Sequence, residues 1–210
     1  MVIIGSLARA TVVFWSDPWS PHQPDEHILP LEALALWEGI TPREVGWPAS
    51  TSRLVLSGAQ AIQWLNARGL DAWRLRSSPD KSLETVTRWI GQRYVDPTPL
   101  YRLGRALSVV VGILQLCATV WALSQWVGPI GVLLGTAMVA FSPVIVAYSQ
   151  YVLADVMGLF FATILIGLAA NPTPKRVVVM GALAGLAASS KFHFGIWVAT
   201  PLLAIWFGRV

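Results

Sequence analysis

Residues 106–126 read ALSVVVGILQLCATVWALSQW, 21 positions without a charged side chain. A helix of about 20 apolar residues crosses a bilayer core, so this stretch predicts a membrane span from Ala106 to Trp126. The same reading extends downstream. Gly128–Tyr148 fits a second span after a turn at Ser124–Pro129, and Val152–Ala170 fits a third with one acid, Asp155, near its start. Asn171-Pro-Thr-Pro-Lys-Arg176 is a break, because two prolines stop a helix. Val177–Phe207 is an apolar run of 31 residues interrupted by Ser189-Ser190-Lys191. It is long for one straight span and short for two, and is read as two short helices meeting near Lys191. Upstream, Met1–Trp15 is apolar with Arg9 inside it. It lacks a basic leading region and a small-residue cleavage site, so it is read as a first span whose start can lie upstream, not as a signal peptide.

Composition points the same way. Of 210 residues, 55% are hydrophobic and 12% charged, where a soluble domain has about 25% charged. The mean hydropathy is +0.59. These values argue against a soluble enzyme, a disordered chain and a nucleic-acid-binding module. A net charge of +4 then reads as loops at a phospholipid surface. Eleven tryptophans suit long membrane interfaces. A single cysteine, Cys117, excludes a disulfide framework and a Cys-type zinc site within the chain; it is read as a small buried hydrophobe.

Charge divides the chain: residues 1–105 hold 21 of the 26 charged side chains. The expected fold is an all-α, polytopic transmembrane helix bundle with interfacial amphipathic helices in a long first outer loop. Residues 1–16 form the first transmembrane helix, 17–104 the extracytoplasmic loop, and 105–210 a bundle of about five helices. Lys175-Arg176 is the basic cluster of the second half, and short basic loops stay cytoplasmic. Ser149–Asp155, Lys191 and residues 16–105 then face outside. That long loop carries ten Lys/Arg, but the positive-inside rule governs loops shorter than about 60 residues. Leu54–Leu65 is too short to be a span, and Gln60 and Gln63 interrupt it.

Within the polar loop, Pro24-Asp25-Glu26 opens a helical segment reaching about Glu38 and closed by Gly39, with acids in its first turn to complement the dipole. Pro30 is expected to delay its regular part to Leu31. Ser52–Leu65 and Ser82–Tyr94 are two further amphipathic candidates, of the kind that lies in the interface.

Few ionisable groups fall where they are costly or open to substrate. Asp155 lies about one turn inside a span, and an acid there is a functional hypothesis by default. Lys191 lies at an apex between helices; Asp25 and Glu26 lie just beyond the first span. All four share one membrane face in this topology. A lysine, or Arg105, can hold a phosphate, while a carboxylate acts as general base on an acceptor hydroxyl or amine. Plainer roles stand beside these. Asp25-Glu26 can be a helix start, Asp155 can hydrogen-bond Tyr151 or Ser149, Lys191 can snorkel to headgroups, and Arg105 can mark a span entrance. A metal site from His22, Asp25 and His27 is conceivable, but its spacing is no metal signature. No cofactor is expected, and a metal requirement is not readable.

The order of these features resembles the type C membrane glycosyltransferases, in particular the bacterial aminoarabinose-transferase and protein O-mannosyltransferase-like group. The matching residues are His22-Gln-Pro-Asp-Glu26 after a first span, Trp37-Glu-Gly39, Gly46-Trp-Pro48 and Leu100-Tyr-Arg-Leu-Gly-Arg105. They continue with Phe141-Ser-Pro143, Tyr148-Ser-Gln-Tyr-Val-Leu-Ala-Asp155, and Ala184-Gly-Leu-Ala-Ala-Ser-Ser-Lys191. The resemblance implies a catalytic Asp25 with Glu26 beside it, and a substrate cavity with Asp155, Lys191, Arg105 and Tyr151. It implies a sugar moved from a polyprenyl-phosphate donor to a lipid, glycan or protein acceptor. The work is done on the outer face of the cytoplasmic membrane, with membrane lipids as surroundings and no nucleic acid as partner. Family members continue through many more spans, so an N-terminal part of such an enzyme is expected, and Asn66–Asp96 reads as an insertion. A transporter or lipid flippase is the alternative, since it too gathers acids and a lysine in a bundle.

Overall fold

The structure, a computed structural model, describes residues 2–15, 28–38, 50–68, 79–152 and 154–206. Every regular element among them is helical. In chain order these are α1 (Val2–Trp15), α2 (Ile28–Ala35, extended by a 3-10 turn Leu36–Glu38), α3 (Ser50–Arg68) and α4 (Pro79–Val95). Then come α5 (Thr98–Ser124), α6 (Pro129–Phe141), α7 (Pro143–Gln150), α8 (Ala154–Ala169) and α9 (Pro174–Ser190). A 3-10 segment Phe192–Val198 leads into α10 (Ala199–Trp206).

Local chemistry sets the boundaries. α5 begins eight residues before Ala106, where Asp96 Oδ1 accepts the Thr98 N–H at 3.1 Å. Proline occupies the first turn of α5, α6, α7 and α9, where its missing N–H is tolerated. Thr173 caps α9 by accepting the Arg176 N–H at 3.3 Å, and Arg176 returns a bond to Asn171 O at 2.9 Å. α9 ends at Lys191, so the long apolar run does split into two helical pieces there.

Close approaches give the directions of packing. A Cβ on Gly104 would stand 2.7 Å from the Val152 methyls, and one on Gly167 would stand 2.3 Å from the Trp121 ring. α5 and α8 therefore run in the same direction. Gly5 meets Leu116 while Arg9 meets Gly112, so α1 runs against α5. The C-terminal end of α1, the start of α5 and the start of α8 thus share one end of the bundle.

By length and composition, one described helix, Thr98–Ser124, is long and apolar enough to cross a membrane. Pro129–Phe141 and Pro143–Gln150 pass only when taken together, and they are bent by 56° at the break. α8, at 16 residues, is shorter than the expected span Val152–Ala170, and α9, at 17 residues, runs from the Asn171–Thr173 turn to Lys191.

The α2–α4 layer has its own core. Leu34, Trp89, Ile90 and Leu100 are buried together, with Trp37, Trp64 and Val86 packed on them. Trp37 meets the Trp64 ring edge-on at 6.2 Å and lies 5.4 Å from Trp89, and its indole N–H donates to Ser57 Oγ at 2.9 Å. Arg93 stacks over Trp89 at 5.3 Å. Tyr94 Oη donates to Glu38 Oε2 at 3.2 Å, joining α4 to the end of α2. Burial, then the Glu38 charge and this bond, raise the Tyr94 pKa above its ordinary 10.0. A raised phenol pKa means the folded state holds the proton more tightly than the unfolded state. That contribution is complete below pH 10 and is lost as pH climbs through the higher folded value. Tyr94→Phe is therefore expected to lose part of the alkaline destabilisation seen above about pH 10. Thermal melts of both proteins from pH 8 to pH 11.5 check this, and superimposable curves would refute it.

Two expectations need correction. Pro30 is buried within the first turn of α2 and does not delay the helix, since the N–H it lacks is one of the four a helix leaves unpaired. Cys117 is exposed, not a buried hydrophobe. The stretch Asn66–Asp96, read as an insertion, contains the end of α3 and all of α4, and α4 covers the expected amphipathic segment Ser82–Tyr94.

Candidate functional site

Asp155 and Lys191 form the centre of the site. Asp155 stands in the first turn of α8, where the helix dipole favours an anion. Lys191 caps the C-terminus of the antiparallel neighbour α9, with extended backbone (φ −157°, ψ 133°) and its N–H donating to Ala187 O. Its side chain reaches the first turn of α8. Lys191 Nζ donates to Asp155 Oδ1 and Oδ2, both at 2.8 Å. The side chains are 21% and 13% exposed, so the pair is partly withdrawn from water. Asp155 is thus bonded to a residue 36 positions away. Ser149, its expected partner, donates instead to Ile145 O and Val146 O. Lys191 is held by the carboxylate and does not snorkel.

Next to the pair is a cavity of about 250 Å³ lined by Val144, Ile145, Tyr148, Asp155, Val156, Leu159, His193 and Phe194. Its floor is apolar, and Asp155, Tyr148 and His193 are its polar edge. Phe194 reaches this position by packing over Gly158, where a Cβ would stand 2.4 Å from the ring. His193 stacks on Phe194 at 4.5 Å.

On the other side of α8, the N-terminus of α3 clips the hairpin. Thr51 Oγ1 hydrogen-bonds Ser189 Oγ, two residues from Lys191. Ser52 Oγ contacts Met157 Sδ at 3.7 Å, two residues from Asp155. Arg53 pairs with Glu32 of α2 at 2.5 Å, with exposures of 11% and 14%. Leu29 and Ala33 of α2 pack with Leu56, Val152 and Ala154, so α2 and α3 bear directly on the start of α8.

Among the expected site residues, Asp155 and Lys191 are in contact. Arg105, 2% exposed, is the residue after Gly104, which packs on Val152; it lies within α5, not at its entrance, and is engaged by a neighbour. Tyr151 stands in the short link from α7 to α8, half-buried and also engaged. Asp25 and Glu26, like His22 and His27, lie outside the described residues. Among the described residues, no group of three or more His, Cys, Asp or Glu is arranged to hold a metal.

Thr51, the Glu32–Arg53 pair and Arg9 were not among the expected residues. Arg53 had a signal: it shares a helix face with Leu56 and Gln60, all three of them buried. Comparison with known proteins finds no matching family, no matching curated protein and no matching solved structure.

Proposed function

We propose that this chain is a membrane-embedded glycosyltransferase of the type C class, multi-pass in the cytoplasmic membrane. It moves a sugar from a polyprenyl-phosphate donor to a lipid, glycan or protein acceptor on the extracytoplasmic side. The observation that carries this reading is Asp155, which lines a mostly apolar cavity together with Tyr148 and His193 and is paired with Lys191 beside it. An apolar floor accepts hydrocarbon, while the carboxylate in its lining and the cation bonded to that carboxylate suit a hydroxyl or amine and a phosphate.

Membrane embedding is supported by the pattern of exposure. In α3, Leu54, Val55, Ile62 and Leu65 share one outward face, while Ser52, Arg53 and Gln60 are buried. That inversion suits a helix resting in the lipid interface. Ile130, Leu133, Leu134 and Met138 likewise form one exposed face of α6, an arrangement that water-facing surfaces avoid. Lys175 and Arg176 open α9 and Lys191 closes it, so the basic loop and the paired site lie at opposite ends. This supports a cytoplasmic residue 171–176 loop with the site outside.

The broken α6–α7 pair offers the transporter reading, in which freed carbonyls coordinate a coupling ion. Here those carbonyls are occupied by Arg9, which favours the transferase.

The test uses the full-length protein in proteoliposomes with a radiolabelled polyprenyl-phosphate sugar. Label should pass from the donor to an acceptor fraction. Label that crosses the bilayer still attached to its lipid would instead identify a flippase.

A further inference from the structure

α6 and α7 meet at Ser142-Pro143 with a 56° bend. Proline has no N–H to give the carbonyl four residues back, and its ring crowds that carbonyl. Here that carbonyl belongs to Val139. α7 restarts from the Ser142 hydroxyl, which accepts the Ile145 N–H at 3.5 Å. The last carbonyls of α6 therefore need donors from elsewhere, since buried unpaired carbonyls are costly. Arg9 of α1 supplies them. Its Nη2 donates to Val139 O at 3.3 Å, and its Nη1 donates to Ala140 O at 3.2 Å and to its own helix at Gly5 O at 2.9 Å. Arg9 is 0% exposed. Its stem passes Gly112, where a Cβ would stand 3.3 Å from Arg9 Cδ and 2.6 Å from Ser149 Cβ. At the far end of α7, Gln150 Nε2 donates to Ala8 O at 2.8 Å. α1 therefore holds the end of α6 and the end of α7, on either side of the bend. α7 in turn contributes Val144, Ile145 and Tyr148 to the wall of the Asp155 cavity.

We infer that Arg9 and Pro143 are a matched pair that sets the α6–α7 elbow and so positions the α7 wall of the cavity. Pro143 frees the carbonyls and Arg9 takes them. Arg9 touches nothing in the cavity and is a positioning residue. The inference goes beyond the proposed activity and does not depend on it.

A double-mutant cycle with two readouts tests it in the full chain. Cys117→Ser removes the exposed thiol, and spin labels at Ile130 and Tyr148, 75% and 38% exposed, report the elbow. Arg9→Met should lower Tm by roughly 5–10 °C and broaden the label separation. In Arg9→Met/Pro143→Ala the helical ladder can close through the break, so Tm should return to within about 3 °C of the parent. The two helices should then straighten into one, lengthening the separation by roughly 3 Å. The fold recovers while the wall geometry does not, a split that a purely structural arginine would not produce. Additive Tm losses in the double variant, or an Arg9→Met distribution identical to the parent, overturn the inference. If Arg9→Met does not fold alone, folding of the double variant with a longer separation supports the pair, and its failure to fold overturns it.

Discussion

Lys191→Met is expected to cost more stability than replacing both members of the Asp155–Lys191 pair. Removing the lysine leaves the Asp155 carboxylate, 13% exposed, without its two donors. An uncompensated buried charge costs about 3–5 kcal/mol, whereas removing both charges is often close to neutral. Partial exposure moves the single-variant cost to the lower end, about 3 kcal/mol. Asp155→Asn/Lys191→Met should recover most of it, with a coupling of at least about 1 kcal/mol in a denaturation cycle. Ligand binding adds a test of opposite signs. Asp155 offsets the lysine charge, so Asp155→Asn should tighten binding of a polyprenyl phosphate while Lys191→Met weakens it. If both variants weaken binding equally, the pair is a strut between α8 and α9 and not a phosphate subsite.

The legibility of this arrangement varied with the kind of signal involved. Runs without charge, prolines and the Ser189-Ser190-Lys191 interruption mark where helices start and stop, because those residues act on their own backbone. The break at Lys191 and the turns at residues 125–128 and 171–173 were readable for that reason. Partnership was not. Lys191 is 36 residues from Asp155, and their contact depends on α9 folding back along α8 and ending at the right height. Arg9 looked like a flaw in a first span, since nothing near it in the chain needs a cation; its partners are 130 and 131 residues away. α3 misleads hydropathy in another way. Its polar Ser52, Arg53 and Gln60 face the protein because α2 and α8 present a carboxylate, a thioether and the Pro30 carbonyl there. Leu54, Ile62 and Leu65 are left to face outward, while Leu56 is buried against α2. Such inversion is visible in a helical projection, but its sign can be assigned only when the neighbouring elements are known.

Asp25→Asn in the full-length protein should reduce sugar transfer by at least about a hundredfold while donor binding persists. An acceptor hydroxyl holds its proton too tightly to attack a sugar carbon well unless a base takes that proton as the bond forms. The departing lipid phosphate needs cationic stabilisation instead. The two demands fall on different residues. Lys191 and Arg105 are proposed for the phosphate, whereas Asp155 has both oxygens engaged by Lys191. The resemblance implies that the base is Asp25, which lies outside the described residues. Ile28 opens α2, and Leu29 beside it packs with Ala154, the residue before Asp155. Loss of a general base costs about 10²–10⁴ in rate. Glu26→Gln should cost less, and Lys191→Met should act on donor affinity before turnover. Single-turnover transfer from a saturating labelled donor separates these effects. If Asp25→Asn stays within a few-fold of the parent, the base lies elsewhere and Asp25 serves only the helix that begins after it.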